Sequence, residues 1–199
     1  MSGVQVLGDD WDDGNGDGAG DGGGLDDDLP DELGWLPGEL GEPRTLLTDG
    51  EVHLLLQRSL VHPNGVLVTV EVRLLHTPSH RSPVGDPDHL LSEAAVDDVR
   101  RRRLADEVLS FRDPELGGPR LARRDPVTGE AQPALPWAQG GSTDAKGGRW
   151  TLPYWVSMDP MQPWPLWVTF EWPTRSIVVD LVHAADEVRA ARSRARPLH

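Results

Sequence analysis

EVHLLLQRSLVHPNGVLVTVEVRLL, residues 51–75, consists of two apolar runs around His62-Pro63-Asn64-Gly65. Proline presets the φ of a turn corner, and Asn-Gly tolerates left-handed backbone, so the stretch predicts a β-hairpin. In the second run Val66, Val68, Val70, Val72 and Leu74 share one face, while Leu67, Thr69, Glu71, Arg73 and Leu75 share the other. That alternation is the signature of a half-buried strand. The first run is less regular, because Val52, Leu54, Leu56 and Leu60 align but Arg58 interrupts them. A bulge or strand end near Gln57 accounts for the break.

The same period continues in the tryptophan-rich stretch WTLPYWVSMDPMQPWPLWVTFEW, residues 150–172, which holds five of the chain's eight tryptophans. In a strand over 166–172, Leu166, Val168, Phe170 and Trp172 face the core, with Trp167, Thr169 and Glu171 opposite. In a strand over 150–157, Trp150, Leu152, Tyr154 and Val156 face the core, and Trp155 lies on the other side. Pro153 has no ladder donor, which places this strand at an edge or gives it a bulge. Asp159 to Pro163 reads as a connector, and residues 176–182, SIVVDLV, as a further strand.

Two segments have helical character. Residues 183–196, HAADEVRAARSRAR, place acids early and arginines late, as the helix dipole favours, and Ala184, Val188 and Ala191 form a thin apolar stripe. Residues 90–109 form a helix through Leu91, Ala95 and Val99 if Arg100 to Arg103 can be accommodated, with Glu107 to Phe111 readable instead as a short strand. Between 113 and 148 the chain is rich in Pro and Gly and reads as a long irregular loop.

Charge divides the chain sharply. Of the net −14, residues 1–43 contribute thirteen acids and no base, while residues 44–199 carry twenty acids and nineteen bases. The Gly/Asp-rich tail, 1–43, has too little apolar surface to offset the entropy of ordering it, and residues 1–32 are expected to be disordered. Trp11, Leu25 and Leu29 are scattered through it, as apolar contacts are in acidic interaction arms. Residues 44–199 are then one domain, long enough to bury a core. With no cysteine, disulfides and thiolate chemistry are excluded. No leader-like or membrane-length apolar run occurs, so a cytoplasmic protein without membrane contact is expected.

The segments PNGVLVTVEVRLL, GGRWTLPYWVSMDP and PLWVTFEWPTRSI, followed by an Ala/Arg-rich end, resemble a family of uncharacterised small proteins from high-GC, actinobacterial-type genomes. The likeness spans residues 45–195 and is most specific at Trp150, Tyr154, Trp155, Glu171-Trp172-Pro173 and Ile177. Family members carry a shorter connector where this chain has Met158 to Pro165. The resemblance implies a mainly β, immunoglobulin-like antiparallel sandwich and brings no activity with it.

Candidate chemistry is sparse. Asp13, Asn15, Asp17 and Gly18 match the opening of an EF-hand loop, but the twelfth position is Gly24 where a bidentate Glu belongs. In the loop 76–89, His76, His80, Asp86, Asp88 and His89 are metal-ligand types. Pro78 disfavours the helix on which His76 and His80 would converge, and no metal or cofactor is expected. No nucleophile-elbow, P-loop or zincin motif occurs.

Binding surfaces are easier to place. Trp155 and Trp167, if exposed on neighbouring strands, form an aromatic platform for a sugar ring or a proline; otherwise they lie beneath the 113–148 loop. Arg100, Arg101, Arg102 and Arg103, the arginines at 120–124 and those near the C-terminus offer positive charge, but intermixed acids disfavour nucleic acid. The sequence therefore predicts a noncatalytic protein-interaction or assembly module. Its protein partner engages Trp155, Trp167, the Arg100–Arg103 run and Trp11, and the acidic tail serves as a recruiting or autoinhibitory arm. The competing readings are a metal-dependent or hydrolytic enzyme at 76–89 and a carbohydrate- or proline-binding sandwich.

Overall fold

A computed structural model describes residues 34–75, 87–137, 143–144, 148–159 and 165–198. The chain enters through β1 (Trp35–Leu36) and β2 (Gly38–Leu40), followed by β3 (Arg44–Asp49), β4 (Val52–Leu56), β5 (Ser59–His62) and β6 (Gly65–Leu74). The expected hairpin is present, with Val61 opposite Val66 and His62 opposite Gly65 around a Pro63-Asn64 turn. Its first arm breaks where Arg58 interrupts the pattern. Leu56 pairs with Val70, but pairing resumes as Leu60 with Leu67, one residue out of step. The Gln57 N–H still reaches the Thr69 carbonyl at 2.9 Å, which holds the sheet together across this bulge.

Helix α1 (Pro87–Leu109) follows, then 3-10 turns at Ser110–Arg112 and Pro114–Leu116. The chain continues through β7 (Arg120–Arg124), β8 (Ala131–Pro133), β9 (Leu135–Pro136), β10 (Thr143–Asp144), β11 (Arg149–Ser157) and β12 (Leu166–Trp172). After a 3-10 turn at Pro173–Arg175 come β13 (Ile177–His183), α2 (Ala185–Arg192) and β14 (Arg196–Pro197). Among the described residues no helix is long and apolar enough to cross a membrane.

The described strands form two antiparallel sheets and a small ribbon. In the main sheet β10, β11, β6, β4 and β3 are successive neighbours, β5 continues β4 beside β6 with β2 outside it, and β9 pairs with β11. The second sheet runs β13-β12-β7-β8, and β1 pairs with β14. Pro153 lies opposite Thr69 of β6, and on its other side only its carbonyl is used, by the Trp137 N–H at 2.9 Å. The missing donor therefore falls between the short flanking strands β9 and β10, where no continuous ladder needs it.

Inner faces of the two sheets pack into one core, giving the expected sandwich. Rows such as Leu54-Val72-Trp150 and Leu56-Val70-Leu152 come from the main sheet. Leu121, Leu166, Val168, Phe170, Trp172 and Leu181 come from the second, and all of these side chains are buried. Tyr154 crosses between the layers, and its hydroxyl donates to the Pro119 carbonyl at 3.0 Å. Burial pushes this phenol's pKa far up, so it stays a neutral donor.

Several boundaries differ from the sequence reading. Residues 113–148 are not one irregular loop but contain β7 to β10. β7 offers a single buried apolar residue, Leu121, among arginines, so its pairing with β12 leaves no alternating signal in the sequence. The domain reaches back beyond residue 44, since β1 and β2 belong to it. Gly38 lies so close to α2 that a Cβ there would stand 1.7 Å from the Ala191 carbonyl oxygen. The C-terminal helix is shorter than 183–196, because buried His183 ends β13 and Arg196 enters β14. In α1 the helix runs straight through Arg100 to Arg103. Among its described side chains Leu104 and Val108 are fully buried and Ala105 packs beside them, while Val99 is 64% exposed. Phe111 belongs to a 3-10 turn rather than a strand.

Each end of the sandwich has a helix. Near α1, Arg175 donates to Glu51 Oε2 and Glu107 Oε2, both at 2.7 Å, with its guanidinium 4.9 Å from the centre of the Trp172 ring. At the other end α2 buries Val188 and Ala191 against β2 and β5, and Arg192 donates to the Pro63 carbonyl at the hairpin tip.

Candidate interaction site

The two tryptophans proposed as a platform belong to different sheets, Trp155 to β11 and Trp167 to β12, and each projects from the outer face of its own sheet. They stand on opposite sides of the sandwich and cannot share a ligand. Trp155 is also only 1% exposed. Its indole lies over Gly65, meets His62 edge-on with ring centres 5.6 Å apart, and is covered by Trp137 at 5.9 Å. Residues 135–137, within the presumed loop, supply this cover, so an exposed Trp155 platform is ruled out. Removing a large aromatic surface from water outweighs leaving it open.

Trp167 is half-buried on the outer face of the second sheet, opposite Val182 in register. Val182 and Val178 are 55% and 66% exposed. Beside them Thr169 donates to Asp180 Oδ1 at 2.6 Å and accepts from Arg124 Nε at 2.8 Å, while Arg120 Nε and Nη2 donate to Glu171 Oε2 at 2.9 and 2.7 Å. Charges on this face are thus matched internally, leaving the valines and the indole edge as its open apolar part.

The Arg100–Arg103 run does not converge. Consecutive helical residues are rotated by about 100°. Arg100 stands 3.6 Å from Glu51, Arg102 2.6 Å from Asp98, and Arg103 3.1 Å from Glu107. Three of the four are therefore neutralised locally. Trp11, the EF-hand-like stretch and residues 76–86 lie outside the described residues, as do the side chains of Asp88 and His89. Among the described residues no group of three or more His, Asp or Glu side chains could hold a metal ion. Ser59 and His62 are buried, but they face opposite sides of β5 and make no nucleophile-base pair.

What sequence reasoning missed is a cleft where β1 and β14 meet. It encloses about 910 Å³ between the β1–β2 segment, Glu39 and Glu42, and the side chains of Arg58, Arg194 and Arg196. A neighbouring hollow of about 540 Å³ continues past Gly41 toward Arg44, His183 and Glu187. Arg58 is paired with Glu39 at 2.5 Å and Glu42 at 3.1 Å, and Arg194 Nη2 donates to the Glu39 carbonyl at 2.6 Å. Among the described residues no carboxylate pairs with Arg189 or Arg196, both exposed. In the deeper hollow, burial and then the charge of Arg44 lower the His183 pKa against the opposing pull of Glu187, keeping the imidazole neutral. Because the lining comes from residues 36–42, 58 and 193–196, no local motif could have revealed it. The only available signal was an arginine-rich end in a chain with an arginine-free acidic beginning.

No protein-family model, curated protein or solved structure matches this chain.

Proposed function

We propose that the chain is a noncatalytic protein-interaction module in which the acidic N-terminal arm and an acidic partner surface compete for the arginine-lined cleft. One observation carries the reading: the arm is anchored at the lip of the cleft. Trp35 pairs with Pro197, Leu36 with Arg196, and the Leu198 N–H donates to the Gly34 carbonyl at 2.8 Å. The residues before Gly34 hold eleven acidic side chains and no basic one. A polyanion tethered beside Arg58, Arg194 and Arg196 acts at an effective concentration of about millimolar, which favours contact in cis over weak contacts in trans. The arm then screens the cleft until an acidic partner surface displaces it.

The reading is tested by removing residues 1–32 and measuring binding of an acidic peptide to the full and shortened chains at low salt. Shortening is expected to strengthen binding, with the gain shrinking as ionic strength rises and the Debye length falls below about 10 Å. Equal affinities at low salt would refute it.

A further inference from the structure

We propose that the outer edge of β13 is a docking site for an extended peptide segment that adds to the second sheet as an antiparallel strand, with an arginine or lysine opposite Asp180 and β-branched apolar residues opposite Val178 and Val182. In the order β13-β12-β7-β8, β13 has a single neighbour. Its seven residues pair with β12 without a register shift, from Ile177 opposite Trp172 to His183 opposite Leu166. Alternate residues of an antiparallel ladder turn their N–H and C=O groups away from the existing partner. Among the described residues no backbone group takes up that side of β13. Beyond Val182 the segment around Gly41 and Arg44 closes over His183, so the open stretch is 177–182.

The other edges of the two sheets are blunted, and this one is not. β3 carries a bulge between Thr45 and Leu47. β8 is three residues long and ends in Pro133, β2 has three residues, and β9 and β10 have two each. Bulges, prolines and short strands are the usual means of keeping an edge from pairing. β13 has none of them. It also carries Val178 and Val182, which among the described residues are the exposed large apolar side chains of the two sheets.

A strand laid along this edge meets Val178, Asp180 and Val182 in turn on the outer face. Asp180 decides which strand fits. Its Oδ1 accepts from the Thr169 hydroxyl, and Arg124 reaches that hydroxyl rather than the carboxylate. Directly paired opposite charges stabilise a sheet, and like charges destabilise it. A second copy pairing through its own β13, in the register that joins Val178 to Val182, would set Asp180 against Asp180. A basic residue removes that conflict, while β-branched neighbours two places to either side cover both valines. Main-chain bonds then supply affinity and the alternate side chains supply selectivity. The inference does not rest on the cleft, whose proposed partner is acidic.

The test is titration of the full chain with a capped seven-residue peptide that has arginine at its centre, valine two places to either side and threonine elsewhere, following backbone amide resonances by NMR. Saturable shifts centred on 177–182 are expected. Because they are read at β13, attraction of the peptide to the acidic arm is not counted. A glutamate-centred peptide should bind about tenfold more weakly, and Asp180→Asn, which keeps an acceptor for Thr169, should remove most of that preference. N-methylation of one alternate set of peptide amides should abolish binding and of the other set leave it, since one set faces the ladder. No saturable shifts at β13, equal affinity for the two peptides, a preference unchanged in Asp180→Asn, or tolerance of both methylated sets would overturn the proposal. So would a dimer of the free chain that protects the β13 amides from hydrogen exchange, because the edge would then belong to a second copy.

Discussion

Gly65 illustrates how a single missing Cβ sets the surface of the main sheet. A methyl group there would sit 2.2 Å from Trp155 Cζ2 and 2.7 Å from the Val156 carbonyl oxygen. Gly65→Ala should therefore displace the indole, at a cost of about 1–3 kcal/mol from overpacking, and brighten or shift tryptophan fluorescence as Trp155 meets water. An unchanged melting temperature and spectrum would contradict the packing described. The ionisable residues make a second prediction. Burial lowers the His62 and His183 pKa values below the ordinary 6.5. Glu51 is lowered chiefly by its hydrogen bond from Arg175; at Glu71 burial pulls upward, but the Arg73 and Arg149 hydrogen bonds win. All four bind protons more readily in the unfolded chain. Their contributions are complete above the unfolded values and lost as pH falls through the folded ones. Denaturant midpoints should thus decline in two stages, below pH 6.5 for the histidines and below 4.5 for the glutamates. A midpoint that holds constant from neutral pH down to the glutamate range would contradict this.

At the scale of elements, legibility followed local pattern. β6 and β12 were readable because core apolar side chains recur at every second position along them, and the bulge after Leu56 was readable because Arg58 breaks that period. β7 was not, since a lone Leu121 among arginines carries no period, and its place is fixed by backbone pairing with β12. The contact face of α1 was misplaced for a related reason: among its described side chains Leu104 and Val108 are buried, with Ala105 packed beside them, and the neighbouring sheets determine that. Arg175 ties this helix to both layers through Glu51, Glu107 and the Trp172 ring. Its side chain is 13% exposed, while Glu51 is one-third exposed, so solvent screens part of the interaction. Arg175→Ala should cost about 2 kcal/mol, between the limits for exposed and buried pairs. Chemical denaturation measures it, and a loss no larger than that of Arg102→Ala, whose pair with Asp98 is exposed, would show that the network does not fasten α1.

Across the whole molecule, residues 34–36 meet residues 196–198, and that closure creates the cleft. Ribbon β1–β14 brings Leu36 beside Arg196, while α2 packs on Gly38, so residues 35–38 stand beside arginines that follow them by about 160 residues. The candidate site was therefore legible only as two charge biases at opposite ends of the chain. The sequence by itself determined what depends on near neighbours: strands from period-two burial, the hairpin from Pro-Asn-Gly, the bulge after Leu56, and the segregation of charge into the first 43 residues. Only the tertiary structure decided what depends on distant ones. It separated Trp155 from Trp167 by placing β11 and β12 in different sheets, dispersed the Arg100–Arg103 run and paired three of its four members, and set Arg73 beside Arg149 above one buried carboxylate. Those outcomes follow from strand order and register between segments far apart in the chain, and no local pattern encodes which strands will pair.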